Sequence, residues 1–486
     1  MLFEPLFAHA ARTPGLTCII DEHGQYSYQQ VATMAAGMGL YLAAATQRPH
    51  VGILLPPGVG YVAAFYGTLL AGKAVVPLNY LLGDREIAHV LANSGIDTVV
   101  TIPQLAGRLK DSPLKIVDLT QLPQSPAGIA PRFPSPRADD MAVLMYTSGT
   151  SGLPKGVVLT YRNLQSDVDA AIEHAALREK HKFLGIIPLF HSFGMTATIL
   201  APIQLGSTAI YLQRFSAVAT LKAIKEHKAS IMLGVPSMFA ALLHLKSATA
   251  ADFAHFYLLI SGGEPLSAAV RKGFEERFGI TIHEGYGLTE TCAVAALNTP
   301  QMNRPGSVGK PLPNVQTRII SDEGLAVGPD GEGEIWIKGP MIMKEYFHLP
   351  NETASALTAD GFFKTGDCGK LDADGFLYVT GRKKELIIVA GEKAAPREIE
   401  EMLLLHPEVL DAAVVGKKDP HRGEIVVAFI IARPQTTPTS ESLRDFCRQK
   451  QLATFKVPRE IHFVSEFPRT PTGKVLKRVL AEKLNA

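Results

Sequence analysis

Short unbroken apolar runs alternate with helical patterns through most of residues 1–320, and this alternation leaves the chain few architectures. HVGILLPP (50–57) reads as a buried strand, GYVAAFYGTLLAG (60–72) as a helix closed by glycine, and KAVVPLN (73–79) as the next strand. REIAHVLANSG and IDTVVT repeat the pair. So do the strands around FLGIIP (183–188), STAIYL (207–212), ASIMLGV (229–235) and FYLLISG (256–262), with helices such as AVATLKAIKEH between them. A strand that is apolar on both faces must be covered on both, so the pattern predicts parallel sheets sandwiched by helices. From about Val308 the elements shorten: NVQTRIISDEG, GEGEIWIKG and DGFLYVTGR read as antiparallel strands joined by Gly and Asp-Gly turns. After Gly381 a fresh mixed unit begins, with APREIEEMLLLHP and SLRDFCRQKQL as helices and DAAVVGKKD and GEIVVAFIIA as strands. The expected class is therefore α/β. A large N-terminal domain, 1–381, would combine parallel-rich sheets covered by helices with a small barrel-like antiparallel part. A small α+β C-terminal domain, 382–486, would follow a hinge at 382–385.

At 486 residues the chain is too long for one ordinary core, which agrees with that division. Lys plus Arg number 48 against 46 Asp plus Glu, a balance that removes any general case for binding nucleic acid. The basic excess that exists lies in the C-terminal unit and would suit a cap over polyanionic substrates. Cys18, Cys292, Cys368 and Cys447 are far apart and form no CxxC pair, so they are expected to be reduced, mostly buried thiols rather than a disulfide framework or a zinc cluster. MLFEPLFAHAARTPG places Glu4 where a signal peptide needs positive charge and reads as an amphipathic helix. No apolar run reaches the ~18 residues of a transmembrane segment, and a cytoplasmic location is expected.

The segment TSGTSGLPKG, Thr147 to Gly156, follows the apolar run MAVLMY and is built to hold phosphate. Glycines permit close backbone approach and left-handed turns, hydroxyls and main-chain N–H groups donate to phosphoryl oxygens, and Lys155 adds a mobile positive charge. A polar surface linker is the plainer alternative, but the strand pattern before the loop and the helical pattern after Asn163 place it on a strand edge. GxxxxGK[ST] is absent, so the loop is not the phosphate loop of GTPases and kinase-like NTPases.

Four further motifs follow in order: YGLTE (286–290), TGD (365–367), GRKKE (381–385) and PTGK (471–474). With the loop at 147–156 they resemble the adenylate-forming superfamily of acyl-CoA synthetases, aryl-CoA ligases, nonribosomal-peptide adenylation domains and luciferases, across nearly the whole chain. The resemblance implies an ATP- and Mg²⁺-dependent ligase, its C-terminal domain moving over the N-terminal one. A carboxylate attacks the α-phosphorus of ATP to give acyl-AMP and pyrophosphate. A thiol, CoA by default, then attacks the acyl carbonyl and expels AMP. Each step brings anions together, which costs repulsion unless cations and N–H donors offset it.

By the same resemblance, Thr147, Ser148, Gly149, Thr150, Ser151, Gly152 and Lys155 would cradle the β- and γ-phosphates. In EGYGLTE, Glu284, Gly285 and Gly287 would shape the nucleotide pocket, Tyr286 would stack on or flank the adenine, and Thr289 would touch the α-phosphate. Glu290 would bind Mg²⁺, which takes hard oxygen ligands. Gly262 and Gly263 of SGGEPL would line the adenine and acyl pockets at the carboxyl end of a strand, where Glu264 could be merely structural. Asp367 would accept from both ribose hydroxyls and Arg382 would add a donor. His191 of PLFHSFG would position the acid as a gate rather than as a general base. Lys384 would be the hinge residue, and Lys474 would swing to the carboxylate and α-phosphate during adenylation. Gly391, Glu392 and Lys393 would belong to a loop that enters the site in the thioester-forming state, although Ala394 and Ala395 replace the larger apolar residues of many relatives there.

The acyl pocket is expected to draw on Phe193, Met195, Val235, Met238 and Phe239. All are apolar and none is a cation, so a hydrophobic monocarboxylic acid of medium or long chain is favoured over an amino acid, whose ammonium would need an acidic partner. An aryl acid, or the phosphopantetheine arm of an acyl-carrier protein in place of CoA, is the alternative.

Overall fold

The computed structural model describes residues 1–109, 112–121, 134–147, 153–469 and 475–484. Two large sheets dominate the first 311 residues. In the nine-stranded sheet, six neighbouring strands run parallel in the order Ile282–Tyr286, Leu258–Ser261, Ile231–Gly234, Lys182–Gly185, Thr208–Tyr211 and Thr17–Asp21, with antiparallel strands at both edges. In the seven-stranded sheet, Met141–Thr147, Ala74–Pro77, His50–Leu54, Thr98–Thr101 and Lys115–Asp118 are likewise parallel. Apart from the edge strand Lys115–Asp118, these parallel strands are largely buried, because helices such as Val59–Leu70 and Ala217–His227 cover them. The Val59–Leu70 helix is itself buried on nearly every side, so its lack of polar faces follows from its place between layers.

At the edge of the seven-stranded sheet, where Glu345–Tyr346 also lies antiparallel to its neighbour, Met141–Thr147 and Lys155–Thr160 pair antiparallel, with Thr147 opposite Lys155. Both strands are apolar runs, and such runs carry no mark of direction; only the short connection betrays the hairpin.

The short strands after Val308 form a four-stranded antiparallel sheet, Gln316–Ile320, Gly333–Lys338, Phe363–Leu371 and Leu377–Arg382. Beyond it a five-stranded sheet is built around the long hairpin Val409–Asp419 and Gly423–Ala432, flanked by the helices Pro396–Leu404, Ser440–Gln449 and Lys477–Lys483. Its apolar residues, among them Ile399, Leu403, Val414, Val426 and Leu443, make a core of their own. All four cysteines are buried. Among the described residues no helix is long and apolar enough to cross a membrane.

Candidate active site

Parallel strands end together, so whatever follows them in sequence meets in space. Gly262 and Gly263 leave the Leu258–Ser261 strand, and Gly263 takes φ +82°, a backbone conformation open to glycine. Gly262 lies under Phe193: a Cβ built there would stand 3.2 Å from that ring. Phe193 belongs to the short helix Ser192–Met195, whose first turn is capped by the His191 imidazole, Nδ1 accepting from the Phe193 amide at 3.4 Å. A π-helical turn, Thr196–Leu200, continues it, an irregularity frequent at functional sites. Ser192 Oγ lies 3.5 Å from Thr289 Oγ1, so the PLFHSFG and YGLTE segments meet.

Glu290 is held at both ends. Its carbonyl accepts from the Met343 amide at 2.8 Å, and the Tyr346 hydroxyl donates to its Oε1 at 2.8 Å. Tyr346 is in a two-residue strand that pairs with Lys155–Thr160, and the Lys155 ammonium sits over its ring, 5.4 Å from the centroid. Lys155 therefore opens a strand rather than lying within the loop. A single tyrosine thus links the lysine and the carboxylate, which the resemblance assigns to phosphate and to magnesium. The Glu290 carboxylate is a hard oxygen donor of the type Mg²⁺ takes, and the Tyr346 bond to one oxygen leaves the other for a metal.

Asp367 and Arg382 are register partners on neighbouring strands, with Arg382 Nε 3.0 Å from Asp367 Oδ1. The Tyr286 hydroxyl donates to Oδ2 of the same carboxylate at 2.7 Å. Burial, and after it the Asp367 charge, pushes the Tyr286 hydroxyl far above its ordinary pKa and keeps it a donor. Nearby, desolvation and then the Arg382 guanidinium lower the pKa of Lys384. A cleft of about 660 Å³ runs alongside, bordered by Lys155, Tyr346, Asn351, Lys364 and Thr365.

Other expected residues have different surroundings. The Glu284 carboxylate turns toward the Ala268–Phe278 helix: Arg271 Nη1 is 3.3 Å from Oε2 and the Leu266 amide donates to Oε1 at 3.4 Å. Burial raises its pKa against the opposing pull of Arg397 and Arg271. Gly287 is needed for close packing, since a Cβ there would lie 2.0 Å from the Ala293 carbonyl oxygen. Met195 and Phe239, expected in the acyl pocket, are wholly buried in the two main cores, and Val235 is nearly so. Phe239 stacks edge-on to Phe274 behind the sheet. Of the five pocket candidates, Phe193 and Met238 are only partly buried. Ser148, Gly149, Thr150, Ser151, Gly152 and Lys474 lie outside the described residues.

Tyr346 and Ser192 were not legible as site residues. Tyr346 reaches Glu290 across 56 positions of sequence through a two-residue strand pairing, which no local pattern announces.

The hairpin at Lys155, the YGLTE turn and the Asp367–Arg382 pair stand on three different sheets and are joined through Tyr346 and Tyr286, the motifs of the adenylate-forming resemblance thus meeting in space. Residues 6–347 match the AMP-binding enzyme family and residues 398–474 match the AMP-binding enzyme C-terminal domain, and the chain belongs to that family. It is 34% identical to the long-chain-fatty-acid–CoA ligase of Bacillus subtilis strain 168 over 98% of this chain and 93% of that one. It is 36% identical to the sulfoacetate–CoA ligase of Cupriavidus necator over 94% and 92% of the two chains. The solved structure of the Bacillus subtilis o-succinylbenzoate coenzyme A synthetase in complex with ATP and magnesium ion superposes with a TM-score of 0.87 at 30% identity, covering 99% of each chain. The protein is an ATP-dependent, AMP-forming acid–CoA ligase of the acyl- and aryl-CoA branch.

Proposed function

We propose that this ligase activates a hydrophobic monocarboxylic acid of medium or long chain and transfers it to CoA. The observation that carries the choice of acid is Phe193. Its ring is only partly buried and stands against Gly262 at the strand ends, beside the Ser192–Thr289 contact. An apolar ring at that point favours an acid whose tail is apolar, since each buried methylene contributes ~0.8 kcal/mol.

In the first step a carboxylate oxygen attacks the α-phosphorus and the bond to pyrophosphate breaks. Thr147, Lys155 and residues 148–152 between them would hold the departing phosphates, Thr289 the α-phosphate, and Asp367 with Arg382 the ribose. Tyr286 would flank the adenine while its hydroxyl orients Asp367. Glu290 would hold Mg²⁺, which when bound would neutralise phosphate charge. His191, fixed as a helix cap, would position the acid. In the second step the CoA sulfur attacks the acyl carbonyl, the C–O bond to AMP breaks, and the thiol proton is lost to solvent. The enzyme would act in the cytoplasm.

A second reading has its own support. With Met195 and Phe239 withdrawn into the core, the apolar lining is shorter than the sequence suggests, and one relative acts on sulfoacetate, a small acid with a second anionic group. Pyrophosphate release measured with decanoate, acetate, benzoate and sulfoacetate separates the two. Decanoate should exceed acetate by about tenfold or more. A tenfold advantage for any of the other three would overturn the fatty-acid assignment. Offering CoA or a phosphopantetheinylated carrier protein in the same reaction identifies the acceptor, CoA being expected.

A further inference from the structure

We propose that Glu264 is a positioning residue for the first half-reaction: its carboxylate seats the backbone that follows Lys474 against the strand ends of the parallel sheet. The inference rests on the two-step ligase reading above. Glu264 Oε1 accepts a hydrogen bond from the Val475 amide at 3.2 Å, joining the SGGEPL turn to a segment 211 positions later in the chain. The segment carrying Val475 is itself well anchored. Arg469 and Val475 form an antiparallel bridge, and the Leu476 amide donates to the Pro468 carbonyl at 2.7 Å, so Val475 is tied to backbone of its own unit as well as to Glu264. Lys474 precedes Val475 by one peptide bond.

A second contact belongs to the same orientation. Lys393, which the structure places in the short strand Glu392–Ala394 rather than in a loop, is ion-paired with Asp322 on the turn after the Gln316–Ile320 strand of the antiparallel sheet. Of the two segments that the resemblance assigns to alternate half-reactions, the one bearing Lys474 therefore meets the SGGEPL turn, while the other is held by Asp322. A carboxylate that bonds a main-chain amide from the other unit favours only the orientation in which that bond exists. Its differential affinity for one orientation is what shifts the population.

Alanine at 264 removes the acceptor, whereas glutamine keeps a carbonyl oxygen in its place. Glu264→Ala should slow acyl-AMP formation about tenfold, the scale of one hydrogen bond to a charged group. The same variant should convert supplied acyl-AMP and CoA into thioester at the parental rate or faster. Glu264→Gln should recover most of the adenylation rate. Amide hydrogen exchange at Val475, measured on the unliganded protein, should rise in the alanine variant and not in the glutamine variant, a readout that needs no turnover. Equal slowing of both half-reactions, unchanged adenylation in Glu264→Ala, or unchanged exchange at Val475 would overturn the proposal. Pyrophosphate release by the parental protein in the same assay tests the ligase reading separately.

Discussion

Single residues in this molecule are held mostly by partners far away in sequence. Asp367 is fixed by Arg382 and Tyr286, Glu290 by Tyr346, and Glu284 by Arg271. Asp167 is an exception. It is buried in the Tyr161–His174 helix, and neither carboxylate oxygen reaches a hydrogen-bond partner among the described residues. Burial, opposed by the nearby Val294 amide, pushes its pKa well above the carboxylate range. The sign of the consequence follows from linkage. The native state keeps its proton at pH values where the unfolded chain has released it, so this group lowers stability as pH rises from the ordinary carboxylate pKa toward the raised one. Asp167→Asn has no proton to lose. Relative to the parent it should gain stability across that window, with an upper slope of about 1.4 kcal/mol per pH unit. Chemical denaturation of both proteins at several pH values between 4 and 8 measures it. A constant difference would show that Asp167 is ionised in the folded protein.

At the scale of elements, the site is a meeting of turns, and its glycines matter for room as much as for conformation. The YGLTE turn folds back so closely that a Cβ on Gly287 would collide with the Ala293 backbone. Backbone cannot yield as a side-chain tip can. Gly287→Ala should therefore cost about 3 kcal/mol of stability through overpacking and displace Thr289 and Glu290, raising the magnesium concentration required for pyrophosphate release. Unchanged thermal stability together with an unchanged magnesium titration would show that the turn has slack. Most elements were legible beforehand because their apolar period is strong: the helices Val59–Leu70 and Ala217–His227 and the strand Ile231–Gly234 fall where the pattern puts them. The hairpin around 147–155 and the two-residue strand at Tyr346 were not, because strand direction and very short pairings leave no periodic trace.

At the scale of the molecule, the contacts of the C-terminal unit with the rest include, among the described residues, the polar ones of Lys393 with Asp322, Arg397 with the Val379 carbonyl and Val475 with Glu264. Polar contacts of this kind can be broken and remade in water, which suits the proposed reorientation of this unit. If Lys474 serves only the adenylating orientation, Lys474→Ala should lose most acyl-AMP formation and keep conversion of supplied acyl-AMP and CoA into thioester. Rapid-quench measurement of each half-reaction alone decides it, and equal loss of both would make Lys474 a structural residue. This variant and Glu264→Ala should fail in the same half-reaction, the lysine more severely, because one supplies charge to the reacting groups and the other only places it.

Residue type, apolar period and the order of five short motifs were enough to determine the α/β class, the parallel-rich sheets with an antiparallel part after them, and the adenylate-forming chemistry. Those features are local: a glycine, a hydroxyl or an apolar repeat has the same meaning wherever the chain goes. Tertiary structure alone decided that Met195 and Phe239 face the core, that Tyr346 holds Glu290, and that Glu264 meets Val475. An apolar side chain is equally suited to a core and to a pocket, and a carboxylate equally to a metal and to an amide. Which partner it finds depends on how sheets and turns distant in sequence come to lie against one another, and that is set by packing rather than by composition.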